Sequence, residues 1–298
     1  MAKLRTVCAL WLLLGLPAVG QDTTGPDKGI LFIVGGGLGK DDQIFRAFIK
    51  AAGGPDAHIV IVTTAQSSRP DHDYARSAEA RFARKTMGMK QVSILHTHDR
   101  TRADSAVFTK PIEEADAVWF TGGRQWRLVD AYGGTRTEQA FHRLLERGGV
   151  IGGSSAGATI QGSFLVRGDT GGNRLMIGDH QHGFGFLKNA AIDQHVIARK
   201  RQFDMFDVLD DPEGRMDPKI DRAALLGIGV ADHTALVVRG HQCEVIGNKE
   251  GVVLMYNPRT WTKDMPAKER FIRLPVGSTY DLQQRKVIHE KPDSNPQP

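Results

Sequence analysis

The stretch "IGGSSAGATI", residues 151–160, places two serines among small residues where a catalytic hydroxyl could be held. Residues 153–157 read Gly-Ser-Ser-Ala-Gly and fit G-x-S-x-G, the pattern of a serine at a sharp strand-to-helix turn. Such a turn strains the serine backbone, so large neighbouring side chains would collide. Spacing alone leaves open whether Ser154 or Ser155 reacts. A Gly-rich loop that only turns the chain is the plainer interpretation.

A serine nucleophile needs a base and an acid that orients the base. His195 in "AIDQHVIAR" follows a short apolar strand, from whose end its ring could face the serine. Asp232 in "GIGVADHTALVV" ends an apolar run, and Asp169 in "VRGDTGG" competes with it for the role of the acid. The sequence therefore allows a Ser-His-Asp arrangement and leaves its acid undecided.

Two other kinds of chemistry have weaker support. "HTHD" (96–99) and "DHQHGFG" (179–185) are rich in histidine, but neither has the helical H-E-x-x-H spacing of a zinc site. "GGGLGKDD" (35–42) matches neither the phosphate-binding G-K-S/T pattern nor a full G-x-G-x-x-G. We therefore expect no metal, no nucleotide and no other cofactor.

Strands and helices alternate over the first 160 residues, a pattern typical of a parallel sheet covered by helices. Apolar runs predict strands at 30–34, 57–65, 91–98, 115–123 and in "GVIGG" (149–153), and helical spacing predicts helices at 71–88 and 137–149. Gly-rich turns at 35–37, 122–123 and 152–157 all follow strands and should meet at one edge of the sheet. The short apolar segments of 225–256 predict hairpins.

The N-terminus has the order of a secretory signal peptide, with Lys3 and Arg5, then an apolar stretch, then small residues up to Gly20. We expect cleavage after Gly20 and a secreted or periplasmic protein without a membrane anchor. Removing the two basic residues lowers the formal charge from +5 to +3, too little to predict nucleic-acid binding. The mature chain keeps one cysteine, Cys243, which excludes an intrachain disulfide.

The predicted organisation is a signal peptide at 1–20, one α/β domain at 21–275 and a polar, flexible tail at 276–298. No linker is rich enough in Gly, Pro or Ser to divide the central part, and no internal repeat is visible. The sequence allows a homodimer but does not determine the oligomeric state.

Five short motifs together resemble the cyanophycinase and peptidase E family of serine peptidases. In chain order they are "LFIVGGG", "WFTGGRQWRL", "GGSSAGA", "IDQHVIARKR" and "GIGVADHTALVV", and they span about residues 29–240. The resemblance implies a flavodoxin-like, doubly wound three-layer sandwich similar to class I glutamine amidotransferases, with a mainly parallel sheet and helices on both faces. The Asp-Gln-His segment favours the cyanophycinase branch.

The resemblance also implies a role for individual residues. Ser155 would be the nucleophile, His195 the base and Asp232 the acid, where the family usually has Glu. The family positions further imply oxyanion donors at Gly123 and Ala156, and substrate-binding residues at Gln125, Asp193, Gln194, Arg199 and Arg201.

Two departures bear on the substrate. Val196 replaces the usual Phe, and Asp204 stands where the family generally has a third Arg. Cyanophycin is a poly-aspartate backbone with Arg on each side-chain carboxyl, and an enzyme for it must hold free carboxylates, which suits Arg. The expected activity is hydrolysis of cyanophycin to β-Asp-Arg dipeptides. The alternatives are an aspartyl dipeptidase, an esterase or a catalytically inactive binding homologue.

Overall fold

The computed structural model describes residues 22–37, 43–67, 74, 78–86, 88–262 and 264–292. The predicted signal peptide lies outside these residues. None of the helices found in the described ranges has the length and apolar character needed to cross a membrane.

Most of the strands follow apolar runs of the sequence and are largely buried, whereas the last strand, 286–289, is exposed. In chain order they are β1 Ile30–Val34, β2 His58–Val62, β3 Gln91–Leu95, β4 Ala117–Phe120, β5 Val150–Ser154, β6 Gly162–Phe164, β7 Leu187–Gln194, β8 Leu226–Val230, β9 Thr234–Arg239, β10 Gln242–Gly247, β11 Val252–Tyr256, β12 Ile272–Pro275, β13 Thr279–Asp281 and β14 Lys286–His289.

The helices are short, and side-chain caps start several of them. They are α1 Gln43–Ala51, α2 Ala78–Arg81, α3 Arg100–Ala103, α4 Ala106–Glu113, α5 Gln125–Tyr132, α6 Arg136–Glu146, α7 Ala156–Thr159 and α8 Met205–Leu209. A π-helical turn, Phe82–Thr86, continues α2, so the helix predicted for 71–88 is described only in its second half.

Among the described residues, β1, β5, β4, β2 and β3 form the parallel half of a nine-stranded sheet. The prediction of an α/β fold is therefore confirmed. The other half, β9, β10, β13 and β14, is antiparallel and joins the parallel half through β1 and β9. The sheet is thus less parallel than predicted, because the second half of the chain folds back in hairpins.

Both faces of the parallel half are covered. Alternate residues of β1 enter two separate hydrophobic cores, since Leu31 belongs to one and Phe32 to the other. Phe45 and Phe48 of α1 pack edge-on against Trp119 of β4, each with a centroid distance of 4.9 Å. Gly152 of β5 leaves room for that ring, because a Cβ there would lie 2.6 Å from Trp119. This packing fixes the positions of the strands, and therefore of their carboxyl ends, relative to one another.

A second, five-stranded sheet has the order β12-β11-β8-β7-β6. Its strands β6, β7 and β8 are parallel, and Asp193 of β7 faces Gly229 of β8. This sheet was not predicted from the sequence. It matters for function because His195 follows the end of β7 and Asp232 follows the end of β8.

The C-terminal segment is more ordered than predicted. Residues assigned to a flexible tail from 276 onward form β13, which pairs with β10, and β14, which pairs with β13. Tyr280 and Leu282 are almost fully buried, and Arg285 is only 7 % exposed and donates to the hydroxyl of Thr23. Buried apolar groups and this contact hold the segment in place despite its polar composition. Residues 293–298 lie outside the described part.

Candidate active site

The turn at Ser155 explains why its neighbours are glycines. β5 ends at Ser154, and Ser155 takes the left-handed conformation φ 58°, ψ −114° directly before α7. Its N–H donates to the carbonyl of Val34 at 3.0 Å. A Cβ at Gly153 would meet the backbone of Gly157, 2.6 Å from its carbonyl carbon. The G-x-S-x-G pattern therefore lets the chain turn tightly and keeps Ser155 at the end of the strand.

His195 and Asp232 lie side by side because their strands are parallel neighbours. Nδ1 of His195 lies 2.5 Å from Oδ1 of Asp232, and Nε2 lies 3.1 Å from Oγ of Ser155. A carboxylate only accepts hydrogen bonds, so Nδ1 carries the proton and Nε2 is free to accept the Ser155 hydroxyl proton. His195 also has a positive φ, 57°, which turns its ring toward the serine. The three groups form one hydrogen-bonded chain.

Gly36, just beyond β1, supplies the space for this chain. A Cβ at Gly36 would lie 2.6 Å from Oδ1 of Asp232 and even closer to two ring atoms of His195. The carbonyl of Gly36 accepts the N–H of His233 at 2.9 Å, which ties the loop after β8 to the end of β1. Sequence reasoning did not single out Gly36, although the Gly-rich turn at 35–37 was a signal for it.

The surroundings of His195 favour its neutral form. Burial lowers the pKa of His195 below the ordinary 6.5, Asp232 opposes this shift, and the positive charges of Arg199 and Arg201 add to it. A neutral imidazole is the form that can take a proton from serine. The base is therefore ready at neutral pH.

We expect the acid limb of kcat/KM to lie below pH 6.5, since activity is lost as pH falls through the pKa of His195 and Nε2 becomes protonated. Arg199→Gln removes a positive charge that acts on His195, so it should raise this pKa and move the limb to higher pH. Lys200→Gln removes the same charge from the next residue and should leave the limb in place. A pH profile of kcat/KM for the three proteins is the measurement, and equal limbs would contradict this electrostatic account.

Backbone donors lie beside the serine. The Gly122–Gly123 turn follows β4, and a Cβ at Gly122 would lie 3.5 Å from Cβ of Ser155. Gly123 has φ 147°, and a Cβ there would lie 2.5 Å from the carbonyl carbon of Ala65, so only glycine fits. Within the described residues, the N–H groups of Gly123 and Ala156 have no hydrogen-bond acceptor. Both N–H groups are thus unpaired in this part of the chain, and their role as oxyanion donors stays a prediction.

The residues that the sequence left as alternatives for the nucleophile and for the acid make different contacts in the structure. Ser154 is the last residue of β5, and it is Ser155 whose hydroxyl contacts His195. Asp169 accepts the N–H groups of Gly171 and Arg174 within its own loop, at 2.9 and 3.3 Å. Asp169 is therefore a loop-capping residue. Among the described residues, no group of three or more His, Cys, Asp or Glu could hold a metal ion.

Gln125 was predicted to bind substrate, but its contacts are internal. The side chain is fully buried at the start of α5, and its amide nitrogen donates to the carbonyls of Val166 and Arg167, both at 2.8 Å. The side chain thus joins α5 to the loop after β6. We assign Gln125 a positioning role through its amide nitrogen. Its Oε1 has no hydrogen-bond partner within the described residues, so substrate binding by Gln125 stays a prediction.

Gln125→Ala should lower the free energy of unfolding by about 2–4 kcal/mol, because two buried carbonyls lose their donor. Gln139 lies exposed on α6, so Gln139→Ala should change this free energy by less than about 0.5 kcal/mol. Urea unfolding of the two variants and the parent chain measures the difference. A Gln125→Ala variant as stable as Gln139→Ala would contradict the positioning role.

Asp193 is committed to an arginine that the sequence did not point to. It is 1 % exposed, and its two oxygens accept from Nε and Nη2 of Arg167 at 3.0 and 3.1 Å. Nη2 of Arg167 also contacts Oδ2 of Asp204 at 2.5 Å. Asp193, predicted to bind substrate, is thus paired inside the protein. Asp204 belongs to the same ion-pair cluster.

The other predicted pocket residues differ in exposure. Gln194 is 2 % exposed, and its Oε1 has no hydrogen-bond partner within the described part of the chain. Arg199 is exposed, and the side chain of Arg201 is 18 % exposed. Arg199 and Arg201 are therefore the predicted pocket residues that a ligand can reach from solvent.

Comparison with known proteins identifies the family. The sequence profile of Peptidase family S51 matches residues 31–246, which is most of the chain and includes all three members of the hydrogen-bonded chain. The chain belongs to Peptidase family S51. It is a serine-type peptidase, and the resemblance inferred from the five motifs is confirmed.

Curated relatives of this chain carry the name cyanophycinase. The cyanophycinase of Geminocystis herdmanii is 29 % identical over 224 residues, 73 % of this chain and 77 % of the relative. That of Trichormus variabilis is 27 % identical over 282 residues, 88 % of each chain.

Solved structures support the fold. A peptidase from an acI-B1 Actinobacterium matches with a TM-score of 0.56 and 22 % identity, over 86 % of this chain and 98 % of that one. A putative peptidase E protein from Listeria monocytogenes EGD-e matches with a TM-score of 0.50 and 14 % identity, over 74 % of this chain and 98 % of that one. At these identities the likeness concerns the fold alone.

Proposed function

We propose that this S51 peptidase hydrolyses aspartyl peptides of the cyanophycin type through Ser155, His195 and Asp232. The observation that carries the proposal is the unbroken chain of hydrogen bonds, 3.1 Å from Ser155 to His195 and 2.5 Å from His195 to Asp232. The positive φ of Ser155 at the end of a buried strand supports a nucleophile elbow at this turn. We also propose that the covered parallel half belongs to a doubly wound sandwich of the glutamine amidotransferase kind.

The first half of the reaction forms an ester. Nε2 of His195 takes the hydroxyl proton of Ser155 while Oγ attacks the scissile carbonyl carbon. The N–H groups of Gly123 and Ala156 stabilise the negative oxygen of the tetrahedral intermediate. When the C–N bond breaks, His195 returns the proton to the leaving nitrogen, and the acyl group remains on Ser155.

The second half restores the enzyme. Water attacks the acyl carbon, His195 takes its proton, and the C–O bond to Ser155 breaks as that proton passes to Oγ. Asp232 holds the imidazole in the required tautomer throughout and stabilises its positive charge. The products are a carboxylic acid and an amine.

The substrate class is supported by two observations. The curated relatives carry the name cyanophycinase. In addition, Arg199 and Arg201 lie close enough to His195 for their charges to lower its pKa, so positive charge lies beside the reacting groups. Free carboxylates of a poly-aspartyl peptide match that charge. From cyanophycin the expected product is the β-Asp-Arg dipeptide.

A short aspartyl peptide is the second candidate. It is favoured by Asp204, which stands where the family generally has Arg and is paired with Arg167. Such a peptide still carries carboxylates but does not require a third arginine facing the substrate.

A substrate panel tests the proposal. The purified enzyme is given cyanophycin granules, Asp-X dipeptides and a simple ester, and released amines and acids are quantified. Release of β-Asp-Arg dipeptides would support the cyanophycin assignment, and cleavage of Asp-X alone would assign the enzyme to short peptides. Cleavage of the ester alone, or no cleavage at all, would overturn the proposal.

We also propose that the protein is exported. The basic, apolar and small-residue segments of residues 1–20 support this. N-terminal sequencing of the protein secreted from a bacterial host should begin at Gln21. An unprocessed N-terminus inside the cell would contradict export.

A further inference from the structure

Arg167 lies outside the serine, histidine and aspartate segments, yet its side chain is committed within the protein. It is 5 % exposed and has a positive φ of 57°, which turns it inward from the loop after β6. Nε and Nη2 bind both oxygens of Asp193, Nη2 also binds Asp204, and Nη1 donates to the carbonyl of Arg174 at 3.4 Å. All three nitrogens are engaged, so Arg167 is poorly placed to bind a ligand directly.

Arg201 is in the opposite situation. Its Nη1 lies 4.0 Å from Oδ1 of Asp193 but makes no hydrogen bond within the described residues, although the atom is buried. A buried guanidinium N–H that lacks a hydrogen-bond acceptor is unfavourable until a carboxylate or carbonyl reaches it, and the 18 % exposure of this side chain leaves a ligand access to it. Arg201 is therefore suited to bind an acidic group that enters beside His195.

The two arginines compete for one carboxylate. Both oxygens of Asp193 already accept from Arg167 in a two-point pair, the strongest geometry for guanidinium and carboxylate. Without Arg167, Asp193 would be a buried, unpaired charge only 4.0 Å from Arg201 and would pair with it. Arg201 would then be neutralised and turned inward.

We propose that Arg167 is a positioning residue that holds Asp193 and so keeps Arg201 free to bind a carboxylate of the substrate. The inference rests on the proposed function and specifies it, since it makes a free carboxylate a required part of the ligand. Asp204 belongs to the same arrangement, because its Oδ2 accepts from Nη2 of Arg167 at 2.5 Å.

The test measures binding without turnover, in a Ser155→Ala background. The probes are the β-aspartyl-leucine dipeptide and the same peptide with both free carboxylates converted to carboxamides, and calorimetry gives the ratio of their Kd values. The free-carboxylate peptide should bind at least about tenfold more tightly, as a charge-assisted pair requires. Adding Arg167→Gln should reduce this preference to about threefold or less.

A second substitution separates positioning from folding. In the Arg167→Gln protein, Asp193→Asn removes the carboxylate that lies 4.0 Å from Arg201 and leaves the more exposed Asp204 in place, so the preference should return to within about threefold of its starting value. A loss of affinity for both probes alike, or no recovery with Asp193→Asn, would overturn the proposal. Absence of any carboxylate preference in the Ser155→Ala protein would also overturn it.

Stability is checked first by thermal unfolding. If Arg167→Gln does not fold, Arg167→Lys replaces it, because a single ammonium keeps the charge but cannot cover both oxygens of Asp193. It should lower the preference at least about threefold, and an unchanged ratio would overturn the proposal. The matched control is Arg143→Gln, which removes a two-point pair with Glu113 on the helical surface and should leave the ratio unchanged.

The outcome is independent of the catalytic proposal. An intact carboxylate preference in a chain that cleaves no peptide would contradict the proposed function alone. Active cleavage with a preference insensitive to Arg167 would contradict this inference alone.

Discussion

Ser155→Ala should lower kcat for peptide hydrolysis by about 10⁴–10⁶-fold and leave the fold intact, because Oγ is the atom that bonds to the substrate. The side chain makes one described contact, to His195, so its removal leaves no buried group unpaired beyond Nε2. The measurement is kcat with the best substrate of the panel, together with the thermal unfolding midpoint.

Ser154→Ala is the matched control, since it removes a hydroxyl one residue earlier, at the end of β5. It should keep a rate near that of the parent enzyme. A Ser155→Ala enzyme that retains most of its activity, or a Ser154→Ala enzyme that loses it, would place the nucleophile elsewhere.

Gly36→Ala should lower kcat by about 10²-fold or more, although residue 36 has no chemistry of its own. The added methyl group would occupy the space of the His195 ring and of Oδ1 of Asp232, so the hydrogen-bonded chain must move. A displacement of about 1 Å of a catalytic group costs about that factor. Steady-state kinetics give the change in kcat, and a pH profile shows whether the histidine still titrates as in the parent enzyme.

Gly172→Ala provides the comparison, because a Cβ at Gly172 meets only the side chain of Arg174, at an ordinary 3.6 Å. It should leave kcat unchanged. A Gly36→Ala enzyme with the parent rate would show that the space at residue 36 is not what holds His195 and Asp232 in place.

The serine turn could be predicted because its determinants are local. Residues 149–160 contain a buried strand, closely spaced glycines and the start of a helix. In the structure, β5 and α7 form within this range. His195 and Asp232 could be named from their positions after apolar strands. Their contact could not, since it depends on the parallel pairing of β7 with β8, whose segments are far apart in the sequence.

The ion pairs of Arg167 with Asp193 and Asp204 could not be predicted from the sequence, for a similar reason. "VRGDTGG" reads as a turn, and nothing local indicates that Arg167 points inward to a carboxylate 26 residues later. The same holds for β13 and β14, whose polar sequence suggested a flexible tail. Their order comes from pairing with β10 and from buried Tyr280, which are tertiary effects that outweigh local composition.

Covalent labelling of the active protein with a fluorophosphonate, followed by peptide mapping, tests the central claim most directly. Such a reagent phosphonylates a serine whose proton is taken by a neighbouring base, and here that geometry belongs to Ser155 with His195. We predict one modified residue, Ser155, loss of activity in step with its labelling, and no labelling in His195→Ala protein. Modification of Ser154 or of another serine, or full activity after Ser155 is labelled, would contradict the assignment of Ser155 as the nucleophile.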